Sequence, residues 1–157
     1  LGGGGTNDNG NTHICYAWHS VPGLQKFGTY VGNGSGASGP FVELGFRPAI
    51  IWIKDISSGG SYTSYKSWVI YDSKRPGYNT DNGSVLYANR NYAEGKRGNS
   101  DDDSYSENFV ITSNGFKVQF SASSWNVETN ENGRTYIYCA WAEQPASNLY
   151  GGQSNAR

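Results

Sequence analysis

The chain has 157 residues, room for one domain with a single core, and its twelve basic and thirteen acidic side chains leave a formal net charge of −1. That balance offers no electrostatic footprint for nucleic acid, and no apolar run approaches the ~18 to 20 residues of a membrane-spanning helix. With 22 Gly, 12 Tyr and 5 Trp against 16% charged residues, the composition suits an all-β extracellular or virion module with polar loops.

Leu1 and the glycines 2–5 read as a linker at the head of a piece of something longer. The stretch Asp8–Gly23, D-N-G-N-T-H-I-C-Y-A-W-H-S-V-P-G, contains a strand with Ile14 and Trp18 on one face. Short strands follow at Lys26–Val31 and Phe41–Phe46. After Pro48, the unbroken apolar run Ala49–Ile53 predicts a strand buried on both faces. Ser67–Asp72 is a second central strand, ended by Arg75-Pro76-Gly77, and Ser84–Ala88 is another short one. Residues 89–107 are polar and charged and read as a long surface loop.

Phe109–Phe120 carries the clearest signal. Asn114-Gly115 is a preferred two-residue hairpin turn, which would pair Ser113 with Phe116, Ile111 with Val118 and Phe109 with Phe120. The last strand lies within Glu131–Ala146, E-N-G-R-T-Y-I-Y-C-A-W-A-E-Q-P-A, with Ile137 and Trp141 on one face. About nine short strands with Gly/Asn/Ser turns predict a two-sheet antiparallel β-sandwich, jelly-roll-like, with Trp18, Trp52, Trp68 and Trp141 in its core.

The first and last of these segments are copies. At a constant offset of 123 residues, seven of sixteen positions agree: Asn9/Asn132, Gly10/Gly133, Thr12/Thr135, Ile14/Ile137, Ala17/Ala140, Trp18/Trp141 and Pro22/Pro145. Recurrence over a domain length is the mark of tandem modules. It divides the chain into a linker with the end strand of a preceding module, or a strand shared with it (1–25), a sandwich (26–146) and a tail (147–157).

Groups with chemical potential are few. His13 and His19 would stand about 20 Å apart on an extended strand, too far to share a metal. Cys15 and Cys139 fall one position apart in the repeat, on opposite faces of equivalent strands, and read as free thiols. Asp101-Asp102-Asp103 with Ser104 and Glu107 offers oxygens to Ca²⁺ but lacks a calcium-loop spacing, so no cofactor or metal is expected. Asp72 and Arg75 read as a pair bracing a turn. Nucleophile elbows, Cys/His pairs and phosphate loops are lacking, so no catalytic residue is assigned. The residues best suited to contact a receptor or ligand are loop aromatics and acids: Tyr78, Tyr92, Asp101, Asp103, Tyr105 and Trp125.

The stretches Gly45–Lys54 (G-F-R-P-A-I-I-W-I-K), Trp68–Arg75 (W-V-I-Y-D-S-K-R), Ser113–Val118, Thr135–Pro145 and the closing S-N-A-R together resemble a domain of unknown function. That domain recurs in virion structural proteins of marine tailed phages, cyanophages included, near the C-terminus of tail-associated or fibre-like chains. The resemblance spans nearly the whole chain and implies a non-enzymatic virion module, with other virion proteins as partners. On this reading it forms a homo-oligomer, trimeric as appendages are, with host surface glycans as a further partner. The segment before Phe27–Gly34 (F-G-T-Y-V-G-N-G) then looks like the end of a preceding module. The acidic insertion around residues 98–107 departs from the family's pattern. Two other roles fit the same module: a decoration or neck protein without a receptor, or a cellular surface adhesin or filament subunit.

Overall fold

The fold was read from a computed structural model that describes residues 9–36, 38–58, 66–75, 85–91, 94, 109–118 and 129–144. The described residues form eight strands and no helix: β1 (Gln25–Val31), β2 (Phe41–Glu43), β3 (Pro48–Asp55), β4 (Val69–Asp72), β5 (Leu86–Tyr87), β6 (Phe109–Ile111), β7 (Gly115–Val118) and β8 (Thr135–Ala142). They make a five-stranded sheet in the order β1-β8-β3-β4-β5 and a three-stranded sheet in the order β2-β7-β6. Every pair is antiparallel. The chain is an all-β, two-sheet sandwich. Its first strand pairs with its last, and its second with its seventh, the wrapped pairing that makes it jelly-roll-like.

Alternation decides what the sandwich buries. On β8, Tyr136, Tyr138 and Ala140 face inward and lie opposite Asp55, Ile53 and Ile51 of β3. Val69 and Tyr71 continue the same face on β4, and Tyr87 on β5. The small sheet answers with Val42, Phe109, Ile111, Phe116 and Val118. Rings lock the two layers: Tyr71 stacks on Phe109 with centroids 3.9 Å apart, and Phe116 meets Tyr30 at 6.1 Å and Tyr138 at 5.6 Å. Aromatic pairs at these separations add to plain area burial.

Three expectations change. The apolar run of β3 is buried on one face: Ile51 and Ile53 are fully buried, whereas Ile50 and Trp52 point outward and are half-buried. Trp52, Trp68 and Trp141 therefore lie outside the core, and tyrosines occupy the inner positions.

The hairpin has a different register. Ile111 pairs with Phe116 and Phe109 with Val118, so the two-residue loop is Ser113-Asn114. Gly115 is the first residue of β7, and its φ is not positive. It is glycine because a Cβ there would strike the Val42 carbonyl of β2. The two-residue slip leaves the same side chains facing the core.

The opening copy is not a strand. Residues 11–20 are all exposed and unassigned to either sheet, with Ile14 78%, Tyr16 73% and Trp18 64% exposed.

Candidate functional site

Among the described residues, two aromatic surfaces lie outside the core. The first is the outer face of the five-stranded sheet. Cross-strand pairing sets Phe27 beside Cys139, Cys139 beside Trp52, Trp52 beside Ile70 and Ile70 beside Leu86 in one row. Gln25, Trp141, Ile50 and Asp72 form the next row. Trp52 makes edge contacts with Trp141 at 5.8 Å and Trp68 at 6.3 Å, and Trp141 meets Phe27 at 5.8 Å. Lys54 Nζ sits 5.6 Å from the Trp68 ring, a cation–π contact. The Trp52 indole N–H is shut from solvent and has no hydrogen-bond partner. These side chains are half-buried and offer contact area.

The second surface is the opening segment. Tyr16 and Trp18 stack with centroids 6.2 Å apart. The segment meets the sandwich at its end: His19 accepts a hydrogen bond from Gln25 Nε2 at 2.8 Å, and Ser20 Oγ accepts from the Phe27 amide at 3.1 Å. A groove of about 340 Å³ lies at this joint, lined by Ser20, Val21, Pro22, Gln25, Lys26 and Leu44. Lys26 Nζ donates to the Glu43 carbonyl at 2.7 Å beside it.

Polar and charged groups brace the sheet ends. At one end Arg134 donates from Nε to Asp55 Oδ2 at 2.5 Å, both side chains largely buried, and reaches Glu131 at 3.2 Å. Burial alone would lower the Arg134 pKa. The hydrogen bond and charge of Asp55, joined by Glu131, outweigh it and raise the pKa instead. Nearby, Asn130 is fully buried. Its Oδ1 accepts from the Asn33 amide at 2.9 Å, and its Nδ2 donates to the Ser35 carbonyl at 3.1 Å and to Asn33 Oδ1 at 3.3 Å. The Tyr30 hydroxyl donates to the Thr129 carbonyl at 2.6 Å. Asn130 thus ties the β1–β2 loop, and Thr129 ties β1, to the segment that leads into β8. Sequence reading passed over this pair, which looks like any polar loop.

At the other end Glu143 accepts from Lys74 Nζ at 2.7 Å and Arg47 Nε at 2.8 Å, which together hold its pKa below the ordinary value of 4.5. The Asp72–Arg75 pair does brace its turn, at 3.7 Å, and Arg75 also meets Glu94 at 2.7 Å.

The receptor-contact residues expected from sequence, Tyr78, Tyr92, Asp101, Asp103, Tyr105 and Trp125, all lie outside the described residues, as do Asp102, Ser104 and Glu107 of the acidic run. Among the described residues no group of three His, Cys, Asp or Glu side chains is placed to hold a metal ion. His13 and His19 are exposed. Both cysteines are free, Cys15 exposed and Cys139 half-buried. Burial pushes the Cys139 thiol pKa up, and likewise the Tyr138 hydroxyl.

The fold is that of a β-sandwich module that carries aromatic side chains on its outer sheet face and on its opening segment. The family model for the domain of unknown function DUF7483 matches residues 1–145, and the chain belongs to that family. No curated protein and no solved structure matches it.

Proposed function

We propose that the chain is a non-enzymatic structural module of a phage virion, placed on a tail fibre or capsid-attached appendage outside the cell. There it works in assembly and in contact with host surface glycans. The observation that carries this reading is the opening segment. A chain that holds Ile14, Tyr16 and Trp18 in water, in a sequence that elsewhere forms a central strand, is built to join something else. The half-buried tryptophan face of the large sheet adds a second contact area. Glycan contact is assigned to Tyr78, Tyr92, Asp101, Asp103, Tyr105 and Trp125, acting weakly and multiplied by presentation on a symmetric, trimeric appendage.

The test is particle composition. Mass spectrometry of gradient-purified phage particles should find this chain, and an antibody raised against it should decorate a fibre or surface appendage. Detection on the host cell surface with none in particles would replace the reading with a cellular adhesin. Within the particle reading, Tyr78→Ala or Trp125→Ala should slow adsorption to host cells. Adsorption unchanged by all six alanine substitutions would leave assembly as the module's only role.

A further inference from the structure

The opening segment carries more of a closing strand than its apolar pattern. The repeat begins earlier than Asn9: Thr6 and Asn7 copy Thr129 and Asn130, so nine of the seventeen positions from Thr6 to Pro22 are identical. The buried Asn130 side chain holds the β1–β2 loop against the segment that leads into β8, and the carbonyl of buried Thr129 ties that segment to Tyr30 of β1. A free tail has no use for that pair. The turn is repeated as well: Gly10 and Gly133 both take left-handed φ, 86° and 75°. The stacking of Tyr16 on Trp18 at 6.2 Å fits two side chains on the same side of an extended chain.

We infer that residues 12–18 are the closing strand of a second β-sandwich module, one that precedes this one in the same polypeptide. The segment would seat between that module's own first and third strands, as β8 seats here between β1 and β3. The register follows from β8. His13, Cys15 and Ala17 take the inward places of Tyr136, Tyr138 and Ala140. Ile14, Tyr16 and Trp18 take the outer places of Ile137, Cys139 and Trp141. The offset of 123 residues is then the distance from one closing strand to the next.

The partner is a relative of this module and not a second copy of it. Seated in the slot of an identical chain, the opening copy would put Asn11 where Arg134 stands, leaving the buried Asp55 carboxylate without its cation. His13 and Cys15 would also leave voids where Tyr136 and Tyr138 fill the core. Gly28 shows how closely the slot is fitted: a Cβ there would stand 2.7 Å from the Tyr138 hydroxyl. With Cys15 at that position, the partner has room for a larger side chain where this module has Gly28. It also has no buried carboxylate where this module has Asp55. The inference does not depend on the particle reading above.

The test is alkylation of Cys15 by a maleimide. In this chain Cys15 is exposed and should react fast, ahead of half-buried Cys139. The comparison protein is the polypeptide extended toward its N-terminus, in its natural reading frame, by one repeat length of 123 residues. There Cys15 should react roughly 100-fold more slowly or less, because it faces a core. Asn7→Ala should restore its reactivity in the extended protein and change nothing in this chain. Equal reactivity of Cys15 in both proteins would overturn the inference. So would an extension that stays unfolded with residues 6–18 present, a reading frame without a β-module ahead of Leu1, or a strand-exchanged dimer of this chain alone.

Discussion

Asn130→Ala tests how the closing strand is locked in place. The side chain is fully buried and makes three hydrogen bonds: one from the Asn33 amide, one to the Ser35 carbonyl and one to Asn33 Oδ1. Truncation removes all three and leaves the loop groups to find water. At about 1 kcal/mol net per bond, the loss should be about 2 to 3 kcal/mol. For a domain of this size that is a fall in Tm of about 5 to 10 °C. Urea denaturation followed by tryptophan fluorescence measures it, since Trp141 lies on β8 and Trp52 on the adjacent β3. Asn130→Asp is a sharper variant. It keeps the acceptor for the Asn33 amide but turns a carboxylate oxygen toward the Ser35 carbonyl and Asn33 Oδ1. It should lose at least as much at neutral pH and regain part of it in acid, where the protonated carboxyl donates again. A loss below about 0.5 kcal/mol for Asn130→Ala, the range of ordinary surface changes, would refute that tie.

Three further outcomes follow from the packing. Arg134→Met leaves Asp55 buried without its cation and should cost about 3 to 5 kcal/mol by denaturant titration, with part recovered in the Asp55→Asn/Arg134→Met double variant. Gly28→Ala forces a Cβ against Tyr138 and should cost about 1 to 3 kcal/mol, whereas in a Tyr138→Ala background the added methyl should cost almost nothing. A double-mutant cycle reads that coupling. Glu143 has a pKa lowered in the folded chain by Lys74 and then Arg47, so its contribution is present above 4.5 and disappears as pH falls through the lower folded value. Glu143→Gln should therefore flatten the decline of Tm with acidification in that window and leave the neutral-to-basic limb unchanged in shape.

The fold class was legible because period-two alternation and Gly/Asn/Ser turns survive without knowledge of partners. Which face is inside was not. Along β3, Ile50, Ile51, Trp52 and Ile53 are all apolar, so the run fits either orientation, and side-chain size favours the wrong one. The answer comes from the partner sheet: its rings fill the gap against Tyr71 and Tyr138, leaving Trp52 and Trp141 outside. Gly115 misled for a related reason. Glycine permits a left-handed turn and permits close backbone approach, and only the Val42 carbonyl shows that the second applies. The buried pair Thr129-Asn130 had one readable signal, its recurrence as Thr6-Asn7, which strand-centred alignment left at the margin.

One measurement tests the account's central claim, that two segments of one chain with a shared sequence pattern play different roles. It is amide hydrogen exchange of the intact chain, resolved by NMR or mass spectrometry. In β8, amides 135–142 should exchange only through global unfolding, slowed by roughly 10⁴-fold or more, while amides 12–18 should exchange close to the unprotected rate. Strong protection at 12–18 in the monomeric chain would contradict the account, because it would mean that the opening copy already has its sheet.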